Sequence, residues 1–152
     1  MSATAPLTEA EVRAFVDRWY HALDVHVPVE EFLAMAADSG IEFRFPEVTV
    51  TDRAGLTEWY NRVTRTFFDE VHETRELAIT TTGDQADVKI LTFWQASVWN
   101  PPAARSERLA FHARQTWRVE RSPATGKPVV VTYIVDSFEP VGGSGELPVK
   151  EV

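Results

Sequence analysis

The chain has 152 residues, 44% of them hydrophobic, with nine Phe and five Trp; this is enough apolar mass for one domain with a sizeable core, and it excludes a disordered chain. A formal net charge of −8 disfavours nucleic acid as a partner, because phosphate binding needs a basic face. With no Cys in the chain, neither a disulfide frame nor a thiolate metal site can form, and no apolar run reaches the ~20 residues of a membrane span.

The opening MSATAPLTEAEV has no basic or apolar leader region, so the expectation is a soluble cytoplasmic protein with a flexible N-terminus over residues 1–7. Thr8 and Glu11 fit a capping box. Val12, Phe15, Val16, Trp19, Tyr20 and Leu23 then recur at helical spacing, which predicts a first helix from Glu9 to Leu23. Pro28 opens a short second helix, VEEFLAMAAD, which Ser39-Gly40 ends. IEFRF alternates as a strand, with Ile41, Phe43 and Phe45 facing in. Thr51 or Asp52 can cap a third helix whose apolar stripe is Leu56, Trp59, Tyr60, Val63 and Phe67. From His72 onward the chain reads as strand, over 73–81, 86–99, 108–120 and 128–138, joined by the turn compositions TGDQ, NPPAARS and SPATGK. The domain therefore spans residues 8–139, and the Gly-rich tail 140–152 reads as flexible. Three helices packed on a curved antiparallel sheet make an α+β architecture.

The segment LTFWQASVW, residues 91–99, has large aromatics on both faces. Extending the phase of Val88 and Ile90 puts Trp94 inward and Leu91, Phe93 and Trp99 outward. An outward apolar patch asks for a cover, and a second copy of the chain would supply one; a bulge that flips the phase midway would remove the need.

RWYHALD in the first helix, DEVHETRELAI after the third and QTWRVERSPATGKPVVVTYIVD at the end give the chain its closest likeness. In this layout it resembles the nuclear transport factor 2-like superfamily, and within it the SnoaL-like group of polyketide cyclases, dehydratases and isomerases, over about residues 8–138. The resemblance implies a cone whose sheet and helices enclose one apolar pocket, a small-molecule ligand, no cofactor, and dimerisation through the outer sheet face. In SnoaL-like dehydratases a carboxylate ending the first helix faces a His at the start of the following strand, and Asp24 and His72 fall on those positions. An imidazole can take a proton α to a carbonyl or give one to a leaving hydroxyl, while a carboxylate holds its tautomer. The ending GKPVVVTYIVD is similar to that of the SnoaL-like cyclases, where a terminal acid acts in the pocket; Asp136 occupies its place, with Thr132 where the group has Trp. The chain carries Trp19 and Phe45 where the ketosteroid isomerases have a Tyr and an acid, and Leu23 where some dehydratases have Tyr.

Other candidates follow from the residues themselves. Gln115 is the one amide on an inward apolar face, so it must be hydrogen-bonded, to a ligand oxygen or within the core. Tyr20 is core or a hydrogen-bond donor to a substrate carbonyl. Phe43, Trp94 and Trp117 are expected as pocket walls. His21, His26 and His112 do not cluster, and a metal site is not expected. Two functions remain open at this stage. One is a cofactor-independent acid–base enzyme, with Asp24 and His72 as the catalytic pair on a small apolar oxygenated molecule. The other is a non-catalytic ligand-binding or assembly domain of the same fold.

Overall fold

The computed structural model describes residues 5–147. Helix α1 runs Glu9–Val25; the Thr8 side chain accepts the Glu11 N–H at 3.1 Å, and His26 closes the helix in the left-handed region at φ 55°. Its buried residues, Val12, Phe15, Val16, Trp19, Tyr20, Ala22 and Leu23, follow the i, i+3, i+4 spacing that turns one stripe to the core. The short α2 spans Val29–Leu33 and α3 spans Arg53–Thr66. Asp52 caps α3 through its side chain, which accepts the Gly55 N–H at 2.7 Å.

Six strands form one sheet: β1 Glu42–Arg44, β2 Thr49–Val50, β3 Phe67–Thr82, β4 Gln85–Val98, β5 Glu107–Arg121 and β6 Pro128–Pro140. Their order is β2-β1-β6-β5-β4-β3. All neighbours are antiparallel except β1 and β6, which run parallel. The two-residue β2 and the parallel pairing refine the architecture expected from sequence. β3 begins five residues before His72 and carries irregularities at Phe68/Val71 and Thr74/Glu76. β6 has two more, opposite Arg114/Gln115 and Arg118/Val119. Bulges of this kind add twist and bend a sheet, and the concave side takes the helices.

The β4–β5 register is continuous from Gln85 to Val98, so the phase does not flip inside LTFWQASVW. Val88, Ile90, Thr92, Trp94, Ala96 and Val98 are all buried, while Leu91, Phe93 and Gln95 alternate with them on the outer face at intermediate exposure.

The described residues that flank the first helix and the last strand are hydrogen-bonded to the domain. Leu7 is 3% exposed and donates its N–H to Gly83 O at 2.9 Å. The Arg121 guanidinium donates to the carbonyls of Ala5 and Pro6 and to both carboxylate oxygens of Glu11. At the other end Val141 and Gly145 donate to Ala110 O and Arg108 O, at 2.8 and 2.9 Å. The expectation of flexible chain at residues 1–7 and 140–152 meets these hydrogen bonds at residues 5–7 and 141–145. The remainder of that expectation, residues 1–4 and 148–152, lies outside the described residues. Among the described residues, no helix is long and apolar enough to cross a membrane.

Candidate functional site

A cavity of about 280 Å³ opens between the helices and the concave sheet. Its apolar wall includes Phe45, Trp59, Phe67, Trp94, Tyr133 and Phe138, and its polar groups include Glu47, Arg62, Glu70, His72 and Gln115. Few polar groups on an aromatic wall is the usual make-up of a small-molecule site.

Asp24, in the last turn of α1, and His72, on β3, meet directly. Asp24 Oδ1 lies 2.6 Å from His72 Nδ1, and Asp24 Oδ2 accepts the His72 backbone N–H at 3.1 Å. An ionised carboxylate only accepts, so the ring hydrogen belongs on Nδ1 and Nε2 keeps its lone pair. Among the described residues Nε2 has no hydrogen-bond partner, and it is not sealed from solvent; His72 lines the cavity, with its side chain 9% exposed. Asp24 stands behind the ring rather than on the wall. The Tyr20 ring stacks on the imidazole, 4.9 Å between centroids at 12°, which fixes its plane.

Gln115 is oriented by a second network. Its Oε1 accepts from Tyr20 Oη at 3.0 Å and from Trp117 Nε1 at 2.9 Å. An indole N–H can only donate, so the oxygen must face Trp117 and the amide NH₂ is turned toward Tyr133 and the cavity. Tyr20 Oη also pairs with Thr92 Oγ1. Burial pushes the Tyr20 phenol well above its ordinary pKa, and the neighbouring Tyr133 adds to the rise. Burial likewise raises Tyr133, against the opposing effect of Trp19 and Gln115 donors directed at its oxygen. Trp19 Nε1 falls short of ordinary hydrogen-bond geometry there and is the one buried side-chain polar atom without a partner among the described residues.

Of the residues singled out from sequence, His72, Trp94 and Gln115 line the cavity and Asp24 supports the first of them. Four others lie elsewhere. Tyr20 is not on the wall; its hydroxyl is taken up by Thr92 and Gln115. Phe43 and Trp117 are fully buried: Phe43 stacks on Trp19 and Tyr133, and Trp117 holds Gln115 from behind. Asp136 is exposed and accepts from Thr116 Oγ1 at 2.7 Å. Alternation along β6 explains the last case, because Tyr133 and Val135 pair with the inward-facing Trp117 and Gln115 and Asp136 follows on the opposite face. Gln115 pairs with Val135 and Arg114 with Ser137, so Asp136 is the extra residue of a bulge, and it is Val135 that faces the cavity.

Glu70 is the site residue that the sequence reading missed. Its side chain is 8% exposed, on the cavity wall. Oε1 accepts Trp94 Nε1 at 3.0 Å and Oε2 lies 2.7 Å from His26 Nε2. Its spacing from His72, two residues along one strand face, was the available signal. It was hidden by placing the strand's start at His72. Glu47, at the other end of the cavity, accepts Trp59 Nε1 at 3.2 Å and pairs with Arg62 at 3.4 Å. Among the described residues no three His, Cys, Asp or Glu side chains are grouped to hold a metal.

Neither a family model nor a curated protein sequence matches the chain. Solved structures match it in shape. A provisionally assigned aromatic ring hydroxylase from Novosphingobium aromaticivorans is 14% identical, with 87% of this chain and 92% of that one covered at a TM-score of 0.73. A provisionally assigned dehydratase of the nuclear transport factor 2-like family from Streptomyces avermitilis is 15% identical, covering 87% and 95% at 0.69. The hexachlorocyclohexane dehydrochlorinase LinA-type3 from Novosphingobium barchaimii is 14% identical, covering 92% and 94% at 0.69. Identities this low speak to architecture, and on that evidence the chain has the nuclear transport factor 2-like fold.

Proposed function

We propose that the protein is a cofactor-independent acid–base enzyme, a dehydratase, cyclase or isomerase, acting on a small, largely apolar, oxygenated molecule. The observation that carries this reading is the Asp24–His72 contact at 2.6 Å with the far ring nitrogen open to the cavity. In the proposed reaction His72 Nε2 takes the proton α to a carbonyl, and the Asp24 carboxylate stabilises the imidazolium that forms. The Gln115 NH₂ donates to the oxygen on which negative charge collects. The imidazolium then returns its proton, either to a departing hydroxyl, giving water and a double bond, or to another carbon, giving an isomer. Two of the structural neighbours have names that denote elimination, which supports the reaction class.

The test is turnover of a panel of cyclic β-hydroxy ketones, followed by the absorbance of the conjugated product. Turnover that His72→Gln removes supports the proposal. Binding of the same compounds without turnover favours a non-catalytic ligand-binding domain instead. A cytoplasmic location and association through the outer sheet face belong to the same proposal. Trp99, 52% exposed, supports the interface; light scattering that returns 17.2 kDa, one chain's mass, at micromolar concentration counts against it.

A further inference from the structure

The mechanism above leaves Glu70 without a part, although its surroundings are unusually constrained. Its partner His26 and its chain neighbour Asp69 are the two non-glycine residues with positive φ among those described, at 55° and 52°. Such backbone costs energy and persists where its surroundings enforce it, often at binding sites. Here Glu70 lies next to both, with its side chain on the cavity wall. Donors bracket it, Trp94 Nε1 on one oxygen and His26 Nε2 on the other when that nitrogen carries the hydrogen.

On the cavity wall carboxylates outnumber fixed cations. Among the described residues Arg62 is the one Lys or Arg side chain on the wall, and it is paired with Glu47. Asp24 adds negative charge behind His72. The adjacent wall is aromatic: Phe67 and Phe138 lie 5.1 and 5.6 Å from the Trp94 ring, centroid to centroid. Ring faces attract cations, and a carboxylate offers each of its oxygens a second lone pair. An anion entering here meets repulsion; an ammonium group meets a counter-ion and π faces that offset its desolvation.

From this arrangement we propose that the cavity binds a small apolar molecule carrying an ammonium group, with Glu70 as its counter-ion. The inference rests on the reading of the cavity as a small-molecule site and names the class of molecule.

The experiment is calorimetric titration with three probes of one shape: 1-aminoindane, 1-indanol and indane-1-carboxylate, at neutral pH and low salt. Wild type should bind the ammonium at least about tenfold tighter than the alcohol, the size of one hydrogen bond to a charged group, and the carboxylate weakest. Glu70→Gln, which keeps an acceptor for Trp94, should erase that preference and leave the alcohol's affinity within about twofold. Equal binding of amine and alcohol by wild type overturns the proposal while leaving the small-molecule reading intact. So does a preference that survives Glu70→Gln. Binding of none of the three overturns both. The wild-type comparison alone decides the matter if the variant does not fold.

Discussion

Asp24 holds His72 at two points, ring and backbone, so removing its charge affects more than one hydrogen bond. Asp24→Asn keeps the shape but offers an amide that satisfies either ring tautomer. On the proposed mechanism it lowers kcat by about 10²–10⁴-fold with KM changed only a few-fold, as expected for loss of an acid–base pair. The double variant with His72→Gln is scarcely worse than either single one, because the two act as a unit; additive losses in steady-state kinetics would speak against a dyad. Asp24 and His72 were singled out through the resemblance, Asp24 in the last turn of the first helix and His72 on the strand that follows the third. Gln115 was legible as the lone amide on an apolar face. Tyr20, Phe43 and Trp117 share that inward periodicity, but spacing cannot distinguish a wall residue from one packed just behind it.

At the scale of elements, the irregular start of β3 positions the site. Asp69 adopts φ 52° where the β3–β4 register slips between Phe68 and Val71, and Glu70 is thereby turned inward beside Trp94. A β-branched residue is poorly suited to that backbone. Asp69→Val should cost about 1–2 kcal/mol in denaturant unfolding. Asp69→Gly, which is free to adopt the same conformation, should stay within about 1 kcal/mol of wild type. Equal stability of the two variants would show that the left-handed turn is not enforced. Bulges also mark the limit of what the sequence discloses. One in β6, at Asp136, returns Phe138 to the inner face opposite Ala113; strict alternation along YIVDSF puts Asp136 outward after Tyr133 and Val135 but could not anticipate the return of Phe138, because an inserted residue leaves no mark in the pattern. Where β4 and β5 pair without interruption, the inferred phase of LTFWQASVW holds from Val88 to Val98.

For the molecule as a whole, the core sets an alkaline limit. All three tyrosines of the chain, Tyr20, Tyr60 and Tyr133, have phenols raised by burial; for Tyr60 the rise is to about 12, with the charges of Glu70 and Glu31 adding to it. A phenol raised in the folded state adds stability that is fully present below its unfolded pKa of about 10 and is lost as the pH climbs beyond it. Stability should therefore decline from about pH 10 upward, through the Tyr60 value of about 12. An absorbance titration should show little phenolate until the chain unfolds. Ordinary ionisation of a tyrosine near pH 10 with the circular dichroism of the fold intact would contradict this. Burial on this scale was foreshadowed by the aromatic content, and the order of helices and strands by hydrophobic period. The cavity was implied only by the resemblance, because its volume is the space left between the stacked Phe45–Trp59 pair and Trp94, and no periodicity records a gap.

The central claim is that His72, held by Asp24, removes a proton from a ligand in this cavity. The measurement that tests it most directly is hydrogen exchange at the α-carbons of 2-tetralone in deuterated water, followed by NMR. It needs no knowledge of the later steps. The account predicts that the wild-type protein accelerates exchange above the buffer rate and that His72→Gln loses about 10²-fold or more of that acceleration. Exchange at the buffer rate with 2-tetralone demonstrably bound, or acceleration that His72→Gln retains, would contradict it.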